Sequence, residues 1–310
     1  MCHVVFLSLD MYVFVTAYTK GSIPMRDWVE ISLAGNKPDA NGKGCVPYVY
    51  EMATCALTNK DWCDFLNAVG QDAVTAHKLY HKDMTTGILG GIDIADGRYM
   101  PKSGWEKKPV VYVTYTSLLR YCNWRQTGDT EKGAYDLTAR PPRRCTGARF
   151  FLPTDDEWYK AAYFDPKTNR YWLYPTCSNE LPRQTAANYE KGDVLAKGPP
   201  YYLADVDDYR DAPSPWGVVQ MGANAWEYLE DTWMINGQLA NKLRGGSFGY
   251  TETGLASTNT DAGKYDRRCY VFGARLAHSS DGWYPVKKPF RYVVWMKVKR
   301  YLHALHVLHG

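Results

Sequence analysis

Cysteine is the residue of this chain best suited to redox chemistry or metal binding. The chain has eight cysteines, and none of them forms a Cys-x-x-Cys pair, the spacing typical of zinc sites and dithiol redox motifs. We therefore expect mostly reduced thiols in a reducing or anoxic setting, with one or two disulfides left open. The cysteines are Cys2, Cys45, Cys55, Cys63, Cys122, Cys145, Cys177 and Cys269.

Histidines are spaced like metal ligands in two places. His77 and His81 are four residues apart, and His303, His306 and His309 repeat at helical spacing in a basic C-terminal segment. A non-haem iron site of the facial type needs two histidines and a carboxylate that converge on one point. The first pair lies in a loop-like segment and the second set in a charged tail. We interpret both sets as incidental and expect no catalytic metal there.

Residues 244–277, RGGSFGYTETGLASTNTDAGKYDRRCYVFGARLA, have a middle made of tyrosine and small polar residues. These side chains offer hydrogen bonds, but they include no thiolate pair and no nucleophile beside a general base. The composition resembles that of antibody paratopes, in which tyrosine supplies rigid contact area and small polar residues supply adaptable hydrogen bonds. The pattern therefore favours binding over catalysis.

Capping signals predict three helices that would position this segment. Thr58 with Asp61 precedes an apolar face that ends at Gly70, and a second helix is predicted to begin at Thr116. Thr154 begins the third, which ends before the next proline. Residues 166–220 between the third helix and the quoted segment are irregular and rich in Pro, Gly, Asp and Tyr. Loops of this length inside a compact domain are usually functional or held by ions.

Length and composition indicate one loop-rich α+β domain with short additions at both ends. The 310 residues carry 25 tyrosines, 11 tryptophans and a net charge of +4, which is too mild to indicate a nucleic-acid partner. The chain has neither βαβ alternation nor a glycine-rich phosphate loop, which excludes a doubly wound nucleotide-binding fold. We expect an N-terminal extension over residues 1–26, the domain over residues 27–278 and a basic appendix over residues 279–310.

The two ends give weak membrane signals. Residues 4–18 are apolar, but they are short for a membrane span, contain Asp10 and follow no basic segment. We therefore predict neither a transmembrane helix nor a clear signal peptide. Residues 285–310 mix basic and apolar side chains. Packing of this tail on the domain is favoured over contact with a membrane surface or a partner subunit.

Five stretches, in chain order, resemble motifs of the formylglycine-generating enzyme (sulfatase-modifying factor) family. EMATCALTNKDWCDFLNAV resembles EVTNxxYxxFLNAV, FLPTDDEWYKAAYFDP resembles RLPTEEEWEYAA, and MGANAWEY resembles GGNVWEW. KLRGGSF and FGARLA resemble LRGGSW and GFRVA. The resemblance covers roughly residues 27–278 and implies a loop-rich, C-type-lectin-like α+β fold.

The same resemblance implies a copper-dependent oxidase whose paired cysteines follow the GGS motif. Here Phe248, Gly249 and Tyr250 follow that motif, and no cysteine occurs until Cys269. Because copper(I) prefers soft sulfur ligands, we expect no copper and no catalytic residue. The alternatives are a metal-dependent oxidoreductase of this family with altered chemistry, or a catalytically dead member.

Among proteins of this fold, the chain most resembles the variable proteins of diversity-generating retroelements, whose C-terminal segment is rewritten by adenine-directed mutagenesis. This implies a variable region over residues 226–277 and an exposed face for an unidentified macromolecular ligand. A protein ligand and a virion or cell-surface location are favoured. The residues expected on that face are Tyr250, Thr251, Thr253, Ala256, Thr258, Asn259, Asp261, Tyr265 and Asp266, and those expected to be buried beneath it are Trp226, Arg244, Gly245, Gly246, Ser247, Leu255, Ser257 and Arg275.

The family resemblance also implies structural calcium. In the family, the turn that corresponds to residues 222–227 presents main-chain carbonyls and one glutamate to Ca²⁺, an ion that takes oxygen ligands. The matching residues are Ala223, Ala225 and Glu227, and Asn188 matches a ligand of a second calcium site. A surface salt bridge is the alternative role for Glu227.

Overall fold

The computed structural model describes residues 27–283. The N-terminal extension over residues 1–26, most of the basic appendix and its three histidines lie outside the described residues. The described chain is α+β, and no helix in it is long and apolar enough to cross a bilayer. Its helices are α1 (Asn59–Ala76), α2 (Asp83–Thr86), α3 (Tyr115–Thr127) and α4 (Asp155–Tyr163).

Short strands, most of four residues or fewer, and a 3₁₀ helix over Glu252–Leu255 account for the rest of the regular structure of the described residues. In chain order they are β1 (Trp28–Ile31), β2 (Tyr50–Ala53), β3 (Ile92–Ala95), β4 (Arg98–Pro101), β5 (Tyr135–Asp136), β6 (Arg143–Arg144), β7 (Ala148–Phe151), β8 (Phe164–Asp165), β9 (Arg170–Tyr171), β10 (Glu190–Lys191), β11 (Val194–Leu195), β12 (Trp226–Ile235), β13 (Gln238–Arg244), β14 (Asp261–Lys264), β15 (Phe272–Gly273) and β16 (Ala277–Trp283). The irregular segment predicted over residues 166–220 contains only β9 and the β10–β11 hairpin, so loops dominate there.

Two four-stranded sheets carry the fold. In the first, of order β1-β2-β16-β7, the last strand inserts between β2 and β7 and so joins the two ends of the domain. The second has the order β14-β13-β12-β15 and is antiparallel except for the β12–β15 pair. Its long β12–β13 hairpin turns at Asn236 and Gly237, both at positive φ, as a tight two-residue turn requires. This sheet places residues 226–277 next to α4.

The helices begin where local capping chemistry predicts, with one correction. The capping boxes at Thr58 and Thr154 are both present. Gly70, at φ 81°, interrupts α1, but the helix resumes and continues to Ala76. The predicted start of α3 at Thr116 is wrong: Thr114 is the N-cap and accepts a hydrogen bond from the backbone N–H of Ser117. Ser117 performs the reciprocal role usually taken by glutamate.

Aromatic side chains fill the interior. Trp62, Trp158 and Trp226 are almost completely buried, and Trp62 stacks on Tyr121 with ring centroids 5.7 Å apart. Tryptophan and tyrosine bury large areas while keeping a polar group for hydrogen bonding, which suits an interior built largely from loops. No disulfide joins the cysteines of residues 27–283.

Candidate functional site

Arg244 links the backbone of residues 257–259 to α4. It is fully buried; its Nε donates to Asp155 Oδ1 at 2.5 Å, and its Nη1 donates to the carbonyl oxygens of Ser257 at 3.2 Å and Asn259 at 2.6 Å. Lys242 Nζ lies 3.0 Å from the other oxygen of Asp155. Burial alone would raise the pKa of Asp155, but Arg244 and Lys242 outweigh it and hold this pKa below its ordinary value.

A second buried ion pair lies between Glu227 and Arg275. Arg275 Nε donates to both carboxylate oxygens at 2.9 and 2.8 Å, and Trp158 Nε1 donates to Oε2 at 2.6 Å. The guanidinium also donates to the backbone carbonyls of Ala53, Val219 and Gln220. The pair therefore joins β12 and α4 to the end of β2 and to the loop before β12. Glu227 does form a salt bridge, but in the interior rather than on the surface.

Gly246 of the RGGS motif lets its backbone pass close to the backbone of Gly254. Gly245 and Gly246 both have positive φ, at 97° and 81°. A Cβ at Gly246 would lie 3.0 Å from the carbonyl carbon of Gly254, so a larger residue would push the segments apart. The carbonyl of Gly245 accepts a 2.6 Å hydrogen bond from the backbone N–H of Ala223. The residues expected to be buried beneath the variable face are all buried.

Four of the nine residues expected on the variable face are exposed, four are partly exposed and one is buried. Tyr250 is 44% exposed, and its ring meets the buried ring of Trp226 edge-on at 5.1 Å. A buried aromatic ring thus supports an exposed one. The other exposed residues are Thr251, Thr253 and Thr258, and the partly exposed ones are Asn259, Asp261, Tyr265 and Asp266.

Three residues expected on the face have structural roles instead. Ala256 is buried, and the half-buried ring of Tyr265 packs on the ring of Tyr115 at 5.7 Å. Asp266 accepts hydrogen bonds from the backbone N–H and the hydroxyl of Thr116, at 2.8 and 2.9 Å, and so satisfies the N-terminus of α3. Replacing these side chains would disturb the domain itself. The expectation that these three residues belong to a freely variable face is therefore corrected: they support the domain.

Three exposed residues of the same segment were missed by sequence reasoning. Lys264 and Arg267 are exposed, and Tyr270 is 46% exposed. Burial raises the pKa of Tyr250, and Asp261, Tyr270 and Arg267 lie close enough to act on it electrostatically. Tyrosine and arginine are the residue types most enriched at binding hot spots, which was the available signal. We call the resulting set the display face; it comprises Tyr250, Thr251, Thr253, Thr258, Asn259, Asp261, Lys264, Arg267 and Tyr270.

The turn expected to bind calcium fits a cation only in part. Both carboxylate oxygens of Glu227 accept hydrogen bonds from Arg275, and one of them also accepts from Trp158. A guanidinium 2.8 Å away repels a divalent cation. The expectation that Glu227 is a calcium ligand is therefore corrected: it is the partner of Arg275. Asn188 does reach the turn: its Nδ2 donates to Asn224 Oδ1 at 2.9 Å, and its Oδ1 is buried without a hydrogen-bond partner among the described residues.

A small cavity of about 10 Å³, enough for a single water or ion, adjoins the same turn. Its lining includes Gln220, Ala223, Ala225 and Glu227, and Gln220 Oε1 is another buried oxygen without a partner among residues 27–283. The turn therefore offers neutral oxygens and no free carboxylate. Calcium affinity depends on the number of charged ligands, so a site here would be weak. Calcium binding through Ala223, Ala225 and Asn188 stays a prediction.

The side chains suited to redox or metal chemistry do not converge. Phe248, which follows the RGGS motif, is buried with its ring 5.7 Å from that of Tyr202. His77 lies 3.4 Å from Glu131, whereas His81 pairs with Asp83 at 3.3 Å. Within the described part of the chain, no group of three histidine, cysteine, aspartate or glutamate side chains could hold a metal ion.

Known proteins resemble this arrangement at the level of the fold. A crystal structure of CarF superposes with a TM-score of 0.54 at 17% identity over 84% of this chain and 100% of that chain. Variable protein 1 of Treponema denticola gives 0.53 at 16% identity over 81% and 94%, and PvdO from Pseudomonas aeruginosa gives 0.46 at 15% over 82% and 94%. No curated protein matches the sequence significantly. A family model for the sulfatase-modifying factor enzyme 1-like domain matches residues 34–280. The chain belongs to this sulfatase-modifying factor family and has its C-type-lectin-like α+β fold.

Proposed function

We propose that this chain is a binding protein that presents the display face to a macromolecular ligand, with a protein favoured, and that it is not an enzyme. One observation carries the proposal. In the segment after the RGGS motif, where the family's catalytic cysteines are expected, the chain has exposed tyrosine and threonine side chains above a buried framework. Tyr250 rests on Trp226, and Arg244 holds the backbone of Ser257 and Asn259.

This architecture suits a surface that changes while the domain stays folded. Large-to-small substitutions in a core typically destabilise a protein by about 2–5 kcal/mol, and a domain has only about 5–15 kcal/mol of stability. Side chains can therefore be exchanged freely only where they face solvent. The exposed threonines of the display face meet this condition, while the ion pairs and glycines beneath them do not.

We further propose that residues 226–277 are diversified by a diversity-generating retroelement and that the protein is displayed on a virion or cell surface. Support comes from the sequence resemblance to such variable proteins and from the structural similarity to variable protein 1 of Treponema denticola. The alternative, a metal-dependent oxidoreductase with altered chemistry or a catalytically dead member, is supported by membership of the sulfatase-modifying factor family.

The neighbouring DNA tests the diversification. A reverse-transcriptase gene and a near-copy of the segment that encodes residues 226–277, differing from it at adenines, are expected beside the gene. Differences scattered over all four bases, or the absence of both elements from the locus, would contradict diversification. Independent natural variants of the gene should differ mainly at display-face codons and keep the codons of Arg244, Gly246 and Arg275.

A further inference from the structure

We infer that the outer face of the first sheet is a docking surface for the chain's own C-terminal segment, residues 284–310. The inference goes beyond the proposed function and does not depend on it, because it concerns the first sheet and not the display face. We call this surface the sheet face; it comprises Trp28, Glu30, Glu51, Phe150 and His278.

Strand register and ring contacts place these side chains on one surface. Glu30 on β1 pairs with Glu51 on β2, and His278 on β16 pairs with both Glu51 and Phe150 of β7. Directly paired residues point to the same side of a sheet, so these four form a row across all four strands. Trp28 lies on the same side, two residues before Glu30. Its ring centroid is 5.1 Å from that of His278 and 6.2 Å from that of Phe150.

The sheet face is the side of the first sheet that is turned away from the core. Residues at the alternate positions, such as Ile31, Met52 and Ala277, are completely buried. On the sheet face, Glu30 is exposed, and the side chains of the other four members are partly exposed. Polar side chains are the norm on the solvent side of a sheet. A cluster of three aromatic rings there indicates contact with another segment.

Two carboxylates at one end of the sheet face favour a basic occupant. The carbonyl oxygen of Asp27 accepts from the backbone N–H of Thr54 at 3.0 Å, so this pair is hydrogen-bonded. Glu30 and Glu51, three positions further along, are therefore a non-hydrogen-bonded pair, the kind in which opposite side chains lie closest. Like charges directly opposite each other destabilise a sheet. His278 contacts Glu51 from the other side, so a cation beside Glu30 would still relieve the repulsion.

Two arginines lie at the opposite edge of this face. The guanidinium of Arg125 is 5.0 Å from the ring centroid of Phe150 on β7, and the exposed Arg149 is on the same strand. Because β16 separates β7 from β2, about 10 Å lies between that edge and Glu51. This distance is close to the screening length at physiological salt. The arginines therefore compensate the pair of glutamates only weakly.

The segment that follows β16 is both tethered at this surface and complementary to it. β16 carries His278 and ends at Trp283, five residues further along the chain. A segment attached by a short linker has an effective concentration in the millimolar range, so modest contacts suffice. Residues 287–300 carry six lysines and arginines, no acidic residue and the apolar run YVVWM. The N-terminal segment also adjoins the first sheet, but its apolar run over residues 4–18 contains no lysine or arginine.

Zero-length carbodiimide coupling of the full-length protein tests the inference. The reagent joins a carboxylate to a lysine amine only where the two groups are in contact, and peptide mass spectrometry locates each amide. We expect Glu30 or Glu51 to be joined to a lysine of residues 287–299. Glu180, an exposed glutamate in the irregular 166–220 segment, is the matched control and should not be joined to these lysines. A mixture of ¹⁵N-labelled and unlabelled protein shows whether each amide lies within one chain.

A charge reversal separates docking from the mere proximity of a tethered segment. Glu30→Lys should raise the rate of chymotrypsin cleavage within residues 290–295 about fivefold or more, because cleavage follows the population of the undocked segment. Glu180→Lys should leave this rate unchanged, and thermal unfolding confirms that both variants are folded. Equal cleavage of Glu30→Lys and the unaltered protein would overturn the inference. So would the absence of any amide to residues 287–299, amides formed only between chains, or amides to Lys20 of the N-terminal segment instead.

Discussion

Replacing Glu227 with glutamine tests whether the buried ion pair, rather than calcium, holds the framework together. The substitution keeps an acceptor for Trp158 but leaves the Arg275 guanidinium buried without a counter-charge. Removing one partner of a buried pair typically destabilises a protein by about 3–5 kcal/mol. Arg275 keeps its hydrogen bonds to the backbone carbonyls of Ala53, Thr54, Val219 and Gln220, so we expect a loss of stability near the lower end, about 3 kcal/mol.

Equilibrium unfolding in urea, followed by tryptophan fluorescence, measures this loss. The midpoint should fall while the denaturant slope stays unchanged, because the surface exposed on unfolding is the same. Glu51→Gln is the matched control: Glu51 pairs with His278, but its side chain is 33% exposed, so the expected loss is about 1 kcal/mol or less. The double variant Glu227→Gln/Arg275→Met should be more stable than the sum of the two single losses predicts.

Two outcomes would refute this reasoning. A loss below about 1 kcal/mol would mean that the pair contributes no more than an exposed one. If Glu227→Gln lowered the free energy of unfolding in the presence of calcium but not in the presence of a chelator, Glu227 would be a calcium ligand after all. We expect the same loss under both conditions.

Four further predictions concern activity, the display face, pH and calcium. The protein should not convert the cysteine of a sulfatase-type peptide to formylglycine, with or without copper; loss of sulfur from the peptide in mass spectrometry would contradict this. Exchanging the three threonines of the display face for other polar residues should change the free energy of unfolding by about 1 kcal/mol or less, whereas Gly246→Val should prevent folding, as judged by circular dichroism. Burial lowers the pKa of Lys160 from 10.5 to about 8. Between these values the unfolded chain binds more protons, so stability should rise with pH there in urea unfolding, and this rise should be absent from Lys160→Met. Calcium at millimolar concentration should raise the melting temperature of the unaltered protein and of Glu227→Gln, but not that of Asn188→Leu; identical curves in calcium and chelator would exclude the site.

Local chemistry was predictable from the sequence, whereas long-range contacts were not. The caps at Thr58 and Thr154 involve residues three positions apart, so the sequence contains the whole interaction. Asp266, in contrast, accepts from a residue 150 positions earlier, and no local pattern distinguishes it from an exposed aspartate. The same reason explains why Glu227 was assigned to calcium: its partner Arg275 lies 48 residues away. Family motifs supplied the fold because they span five separated stretches of the chain.

The attachment points of the display face have a consequence for how it can evolve. Arg244 grips the carbonyl oxygen of Asn259, and the carbonyl oxygen of Tyr250 accepts a 3.0 Å hydrogen bond from the backbone N–H of Glu190. Every amino acid has the same carbonyl group, so these anchors do not depend on which side chain occupies either position. Substitutions at these positions can therefore be combined, because the backbone stays held in place whichever side chains are present.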